Sequence, residues 1–283
     1  MKWQGRTGSR NVSDRRLTGG AAVGGVGIVV LLVYTLLTGD PSALLGSLFN
    51  QGGNTSTELT AEEVQMGEFV SVVLSDTEVV WTSLFEQYDM TYSPATLVLY
   101  KDSTNTGCGF ASSSVGPFYC SEDQSVYIDL IFYKQLRTDF NAPGDFAMAY
   151  VIAHEIGHHI QHLTGILEEY NSLRSQLSTT EFNQLSVRLE LQADYLAGVW
   201  AKHVQGMGYL EEGDLDEALN AASAVGDDRI QEEATGRVTP DNFTHGTSAQ
   251  RRNWFYKGYT NGDLEEWDTF SAEELALLND LFS

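Results

Sequence analysis

The spacing of apolar and polar positions divides the chain into three regimes. Residues 21–37, AAVGGVGIVVLLVYTLL, carry no charge and end in an unbroken apolar stretch, close to the lower length limit for a helix that crosses a bilayer. They predict a membrane anchor over residues 21–38. Residues 39–60 are rich in Gly, Ser, Thr and Asn and read as a flexible linker. From Ala61 helical spacing sets in, with Val64, Phe69, Val72, Val73, Val80, Leu84 and Phe85 recurring between acidic residues. TLVLYKD (96–102) and SVYIDL (125–130) have the β-branched and aromatic content of short strands. After residue 144 the pattern is helical throughout. Asp145 is placed to cap a helix that runs to Leu163 and stops at Gly165, and further helices are predicted over about 181–204, 214–235 and 247–258. A small strand group beside a helical majority makes the body, residues 61–283, an α+β domain.

Charge changes this picture at the amino-terminal end. Lys2, Arg6, Arg10, Arg15 and Arg16 against Asp14 leave +4 on the first twenty residues and −27 on the rest of a chain that totals −23. A basic flank stays on the cytoplasmic side of a span. The expected layout is therefore a cytoplasmic segment (1–20), a single-pass anchor and a body outside the cytoplasm. A cleaved signal peptide is the competing reading, against which stand the long charged leader and the lack of an A-x-A site. Gly20, Gly24, Gly25 and Gly27 would let two anchors approach closely, although small residues are common in spans. So acidic a body argues against nucleic acid as a partner. The two cysteines, Cys108 and Cys120, lie in the compact GCGFASSSVGPFYC, and outside the cytoplasm they are expected to form a disulfide.

Candidate chemistry concentrates in AYVIAHEIGHHIQHLTG (149–165). His154 and His158 lie one helical turn apart and about 40° apart around the axis, so both imidazoles reach one ion. Glu155 projects beside them, which completes H-E-x-x-H, the arrangement in which zinc acidifies its water and a glutamate takes the proton. Met148, Ile152, Ile156, Ile160 and Leu163 form an apolar stripe on another face. Gly157 and Ala153 leave room for a second helix. His159 borders the stripe and suits packing or a hydrogen bond, and the pair His158 and His162 lacks the glutamate. A third ligand is offered by RLELQADYLAGVW (188–200), where Glu190 and Asp194 share a face of a helix that is otherwise apolar nearly all round. Those carboxylates are either a solvated acidic face or buried groups that a cation compensates.

H-E-x-x-H followed by E-x-x-A-D resembles the glutamate-type zincin metallopeptidases. KWQGRTGSRNVSDRR, the cysteine loop ending GPFYC, APGDFAMAYVIAHEIGHHIQ, ELQADYLAGVW and HGTSAQRRNWFYKGY together resemble the putative neutral zinc metallopeptidase family of bacteria. The resemblance implies a zincin-like domain holding one Zn2+ through His154, His158 and Glu190. It also implies Glu155 as general base for a zinc-bound water and Asp194 as the partner that orients His154. His245 is the favoured oxyanion donor, with Arg251, Arg252 and Tyr256 on the helix after it; capping a helix start is its other reading. SVYIDL is the expected edge strand for an extended peptide. The expected function is a membrane-anchored zinc endopeptidase acting on peptides or proteins. The alternative is an inactive zincin-like domain that binds envelope proteins or peptides.

Overall fold

In this computed structural model, residues 1–17 and 58–271 are described. The anchor expected over 21–38 and nearly all of the linker lie outside them. Among the described residues no helix is long and apolar enough to cross a membrane.

The body is α+β, mainly helical with a small sheet. Its first strand, β1 (Val12–Asp14), is followed by the 27-residue helix α1 (Ala61–Gln87). Strands β2 (Thr96–Tyr100), β3 (Ser103–Thr106), β4 (Gly109–Ser112), β5 (Phe118–Cys120) and β6 (Ser125–Asp129) come next. Helix α2 (Ile131–Thr138) leads to α3 (Asp145–Leu163), α4 (Ile166–Leu173) and the 28-residue α5 (Thr179–Gly206). Helices α6 (Asp214–Ala224), α7 (Asp227–Thr235) and α8 (Ser248–Asn261) complete the order. The four-stranded sheet has the order β1-β2-β6-β5, with β1 and β6 parallel to β2 and β5 antiparallel to β6; β3 and β4 form a separate hairpin.

Local chemistry accounts for the helix starts. Thr60 with Glu63, Ser178 with Glu181 and Thr247 with Gln250 form reciprocal capping boxes at α1, α5 and α8. Helix α3 departs from expectation: Gly144 is its N-cap and Asp145 its first helical residue. The orphan N–H of Phe146 donates instead to Glu217 Oε2 at 3.0 Å, so α6 caps α3 from outside. The single helix expected over 214–235 is two, broken at Gly226, whose backbone is extended and lies against Ser248.

One apolar core joins α1, the sheet, α3, α5, α6 and α8, with Trp81, Trp200, Tyr150, Tyr195, Phe85, Phe146 and Phe255 fully buried. Helices α3 and α5 cross closely because Gly157 has no side chain: a Cβ there would stand 3.0 Å from Ala193 Cα. Helix α8 lies closer still on α5, where a Cβ on Gly198 would come 2.0 Å from the Phe255 carbonyl oxygen and one on Gly258 2.0 Å from that of Tyr195. These two crossings bring three helices to one point.

Residues 1–17 pack into the body: β1 is the edge strand of the sheet, and Met1 and Arg16 are buried. One expectation is corrected here: SVYIDL is not an edge strand. It is β6, wholly buried and paired on both sides by β2 and β5. The cysteines do join, Cys108 to Cys120, tying the β3–β4 hairpin to β5.

Candidate metal centre

The crossing of α3 and α5 places His154, His158 and Glu190 around one point. Each offers a ligand atom, and these atoms all lie within 4.8 Å of one another. Glu190 Oε2 is 3.1 Å from His154 Nε2 and Oε1 is 3.4 Å from His158 Nε2. Two imidazole nitrogens and a carboxylate oxygen are a donor set suited to zinc with a fourth position open.

The far sides of both rings are held. His154 Nδ1 donates to Asp194 Oδ1 at 2.9 Å, which leaves Nε2 directed at Glu190. Asp194, fully buried, also accepts from Tyr150 Oη at 2.6 Å and from Arg251 Nε at 2.8 Å and Nη2 at 3.0 Å. His158 Nδ1 donates to Gln161 Oε1 at 2.8 Å; Gln161 Nε2 donates to the Leu189 carbonyl at 2.7 Å, which fixes the amide and hence the tautomer. These contacts keep both Nε2 atoms available to an ion.

Electrostatics follow from this wiring. Burial opposes charge on His154, yet the Asp194 and Glu190 carboxylates outweigh it and raise its pKa to about 9. Against the same penalty, His158 and His154 hold the Glu190 carboxyl well below its usual range, and Arg251 and His154 hold Asp194 low. Glu155 is different: its burial outweighs the neighbouring histidines, and its carboxyl titrates above the ordinary value.

The remaining histidines separate cleanly. His159 Nε2 donates to the Ser93 carbonyl at 2.7 Å and Nδ1 accepts from Tyr119 Oη at 2.9 Å; burial pushes its pKa down to about 4, so it packs as a neutral ring. His162 faces Glu168, away from the trio. His245 stands at the half-exposed rim of the cavity, where Nδ1 is 3.2 Å from Asp227 Oδ1. Burial lowers its pKa, but Asp227 and Glu190 carry it above the ordinary value. Of the residues expected on α8, Arg251 lines the cavity and is spent on Asp194 and Tyr150, whereas Tyr256 is exposed on the surface. Arg252 is exposed as well.

Three residues escape sequence reasoning. Asp227 Oδ2 accepts the N–H groups of Thr244, His245 and Gly246 at 2.7, 2.6 and 3.0 Å, so one carboxylate shapes the turn that presents His245. No periodicity links it to a residue eighteen positions later. Tyr150 lies one turn before His154, and that spacing is a usable signal for it. Gln161, one turn after His158, has the same signal.

The trio opens into a cavity of about 540 Å³ that includes Glu155, His245 and Arg251. Its walls are largely apolar, with Phe118, Phe132, Phe140, Val151, Val225 and Ile230 among them. Residues 115–119, running into edge strand β5, line one side.

Comparison with known proteins supplies context for this geometry. The sequence profile of a family described as "putative neutral zinc metallopeptidase" matches residues 1–270. The chain is similar to the uncharacterized protein YpfJ of Escherichia coli K12, 46% identical over 95% of this chain and 99% of that protein. It is also similar to the uncharacterized protein Rv2575 of Mycobacterium tuberculosis H37Rv, 44% identical over 70% of this chain and 68% of that protein. No solved structure matches.

Proposed function

The chain belongs to the putative neutral zinc metallopeptidase family, and from that premise we propose that it is a zinc-dependent peptidase whose metal is held by His154, His158 and Glu190. The observation that carries this reading is the convergence of three donor atoms within 4.8 Å, on a cavity that Glu155 also lines. Zinc held by these residues would supply a Lewis acid to polarise the scissile carbonyl and lower the pKa of water. Glu155, whose carboxyl burial raises above its ordinary value, takes the proton from the attacking water and returns it to the departing amine. His245 carries a proton favoured by Asp227 and donates to the oxygen on which negative charge develops. Asp194, saturated by Tyr150 and Arg251, keeps His154 aimed at the metal.

An extended peptide fits beside β5, the sheet edge at the cavity, and not beside β6, which has neighbours on both sides. The apolar walls suit a large aliphatic or aromatic side chain next to the scissile bond. The decisive experiment pairs metal analysis with a peptide-cleavage assay on the wild type and Glu155→Gln. The variant is expected to retain one zinc per chain and to lose activity by a factor of about 10³, within the range for a positioned general base. Undiminished turnover by a zinc-loaded variant would refute the mechanism. A wild type that binds zinc and cleaves no peptide in a proteome-derived library would favour a binding module instead.

A further inference from the structure

Residues 1–17 are built into the body by contacts along their whole length. Strand β1 pairs in parallel with β2, Val12 beside Leu97 and Asp14 beside Leu99, through bonds from Leu97 N–H to the Asn11 carbonyl at 2.8 Å and from Arg15 N–H to the Leu99 carbonyl at 2.7 Å. Ser9 N–H donates to the Ser71 carbonyl at 2.9 Å, and Ser71 Oγ returns a bond to the Ser9 carbonyl at 3.1 Å. The Arg6 guanidinium forks onto Asp76, a carboxylate only 3% exposed, and stacks over the Tyr209 ring at 3.5 Å. Trp3 packs edge-on against Phe69. A buried carboxylate needs a counter-charge, and Arg6 provides it from this segment.

The ends of the interval 18–57 also lie together. Arg16, 9% exposed, donates to the carbonyl of Glu63 in the first turn of α1 at 2.5 Å and lies against Gly67 one turn later. The chain thus leaves and re-enters the body at neighbouring points. A single membrane crossing between residues 17 and 58 would put segment and body on opposite faces and break every one of these contacts.

We propose that residues 1–17 and the metal-site body share one compartment, the segment docked in cis as the edge of the body's sheet. This arrangement differs from the layout that charge alone predicts, a basic head in the cytoplasm and an acidic body outside. Two of the segment's arginines, Arg6 and Arg16, are used on Asp76, Asp14 and the Glu63 carbonyl, which is folding chemistry. Docking in cis follows from the adjacent exit and re-entry points, since a tethered segment meets its own groove at a high effective concentration.

The test uses the full-length chain in its native membranes or cytosol, with Ser9→Cys and Ser71→Cys introduced together and a sequence-specific protease site inserted within residues 39–57. After oxidation and cleavage, the two fragments are expected to run as one monomer-sized species without reductant and to separate with it. Fragments that separate without reductant would overturn the proposal, and so would disulfide-linked dimers, which signify exchange between copies. Because the cysteine pair could disturb folding, single variants at the exposed positions Arg10→Cys and Glu212→Cys supply an independent reading with a membrane-impermeant maleimide. Equal accessibility in intact cells is expected; labelling of one and protection of the other would refute a shared compartment.

Discussion

At the scale of single residues, the centre is a competition between a proton and a metal. His154 has a pKa of about 9 without the ion because two carboxylates face it, so at neutral pH a proton sits on the imidazole that zinc requires. Apparent zinc affinity should therefore rise by up to about tenfold per pH unit on approach to about 9 and level off beyond it; chelator competition between pH 6 and 10 measures this, and a flat profile would contradict it. His159 gives the opposite case. Its folded pKa of about 4 lies below its ordinary 6.5, so its stabilising contribution is complete above about 6.5 and is lost as pH falls through about 4. At full burial the step is worth up to about 3 kcal/mol. Urea midpoints at pH 7 and pH 4 should show it in the wild type, and His159→Gln should start lower and lose the step. At the rim, Asp227→Asn should lower kcat about tenfold with KM little changed, because Asp227 orients His245 and does not itself line the cavity. A change confined to KM would assign the loop to substrate binding.

Elements decide where these residues meet, and what was legible differs from one element to the next. The three candidate ligands can be located because helical spacing puts His154 and His158 on one face, and because two carboxylates in the largely apolar stretch 189–200 of α5 demand a partner. The small residues Gly157 and Ala193 foretell that α3 and α5 come close. Strand β1 is not readable: three residues, Val-Ser-Asp, carry no alternation, and their pairing partner is more than eighty positions away. The break at Gly226 is hidden for a similar reason, since the extended turn is required by the approach of the distant Ser248. Confusing β6 with the edge strand follows from its stronger apolar pattern, which reflects burial on both faces. The true edge, β5, is three residues long and depends on the disulfide that fastens it to the β3–β4 hairpin. The bridge closes a loop with a sequence separation of 12, which corresponds to about 3 kcal/mol of stabilisation. Cys108→Ser or Cys120→Ser should lower the unfolding free energy by about that amount. Because β5 borders the cavity, kcat/KM for an extended peptide should fall as well, more than for a dipeptide too short to use the edge. Equal losses for both substrates would separate β5 from substrate binding.

For the whole molecule, the question is how a chain of net charge −23 selects what enters its cavity. The walls are apolar, but elements that line the cavity carry acid: α4, which contributes Leu167, bears Glu168 and Glu169, and α7, which contributes Ile230, begins with Asp227 and Asp228 and carries Glu232 and Glu233 in its second half. Some of that charge is used internally, as Asp227 on His245 and Glu168 on His162. The remainder still outnumbers Arg229, which pairs with Glu233. A unit charge about 10 Å from another in water contributes about 0.4 kcal/mol, too little individually, yet several acting together amount to about tenfold in encounter rate. On the proposed function, the substrate expected is then an extended segment with a large apolar residue at the scissile bond and basic residues flanking it. Two peptides with the same apolar residue and flanks of opposite charge should differ about tenfold in kcat/KM at low ionic strength, the cationic one faster. Raising salt toward 0.5 M, where screening acts over only a few ångströms, should bring the two together while leaving the preference for the apolar residue intact. Should the charge preference survive high salt, it would have to come from a direct ion pair inside the cavity and not from the field of the acidic rim.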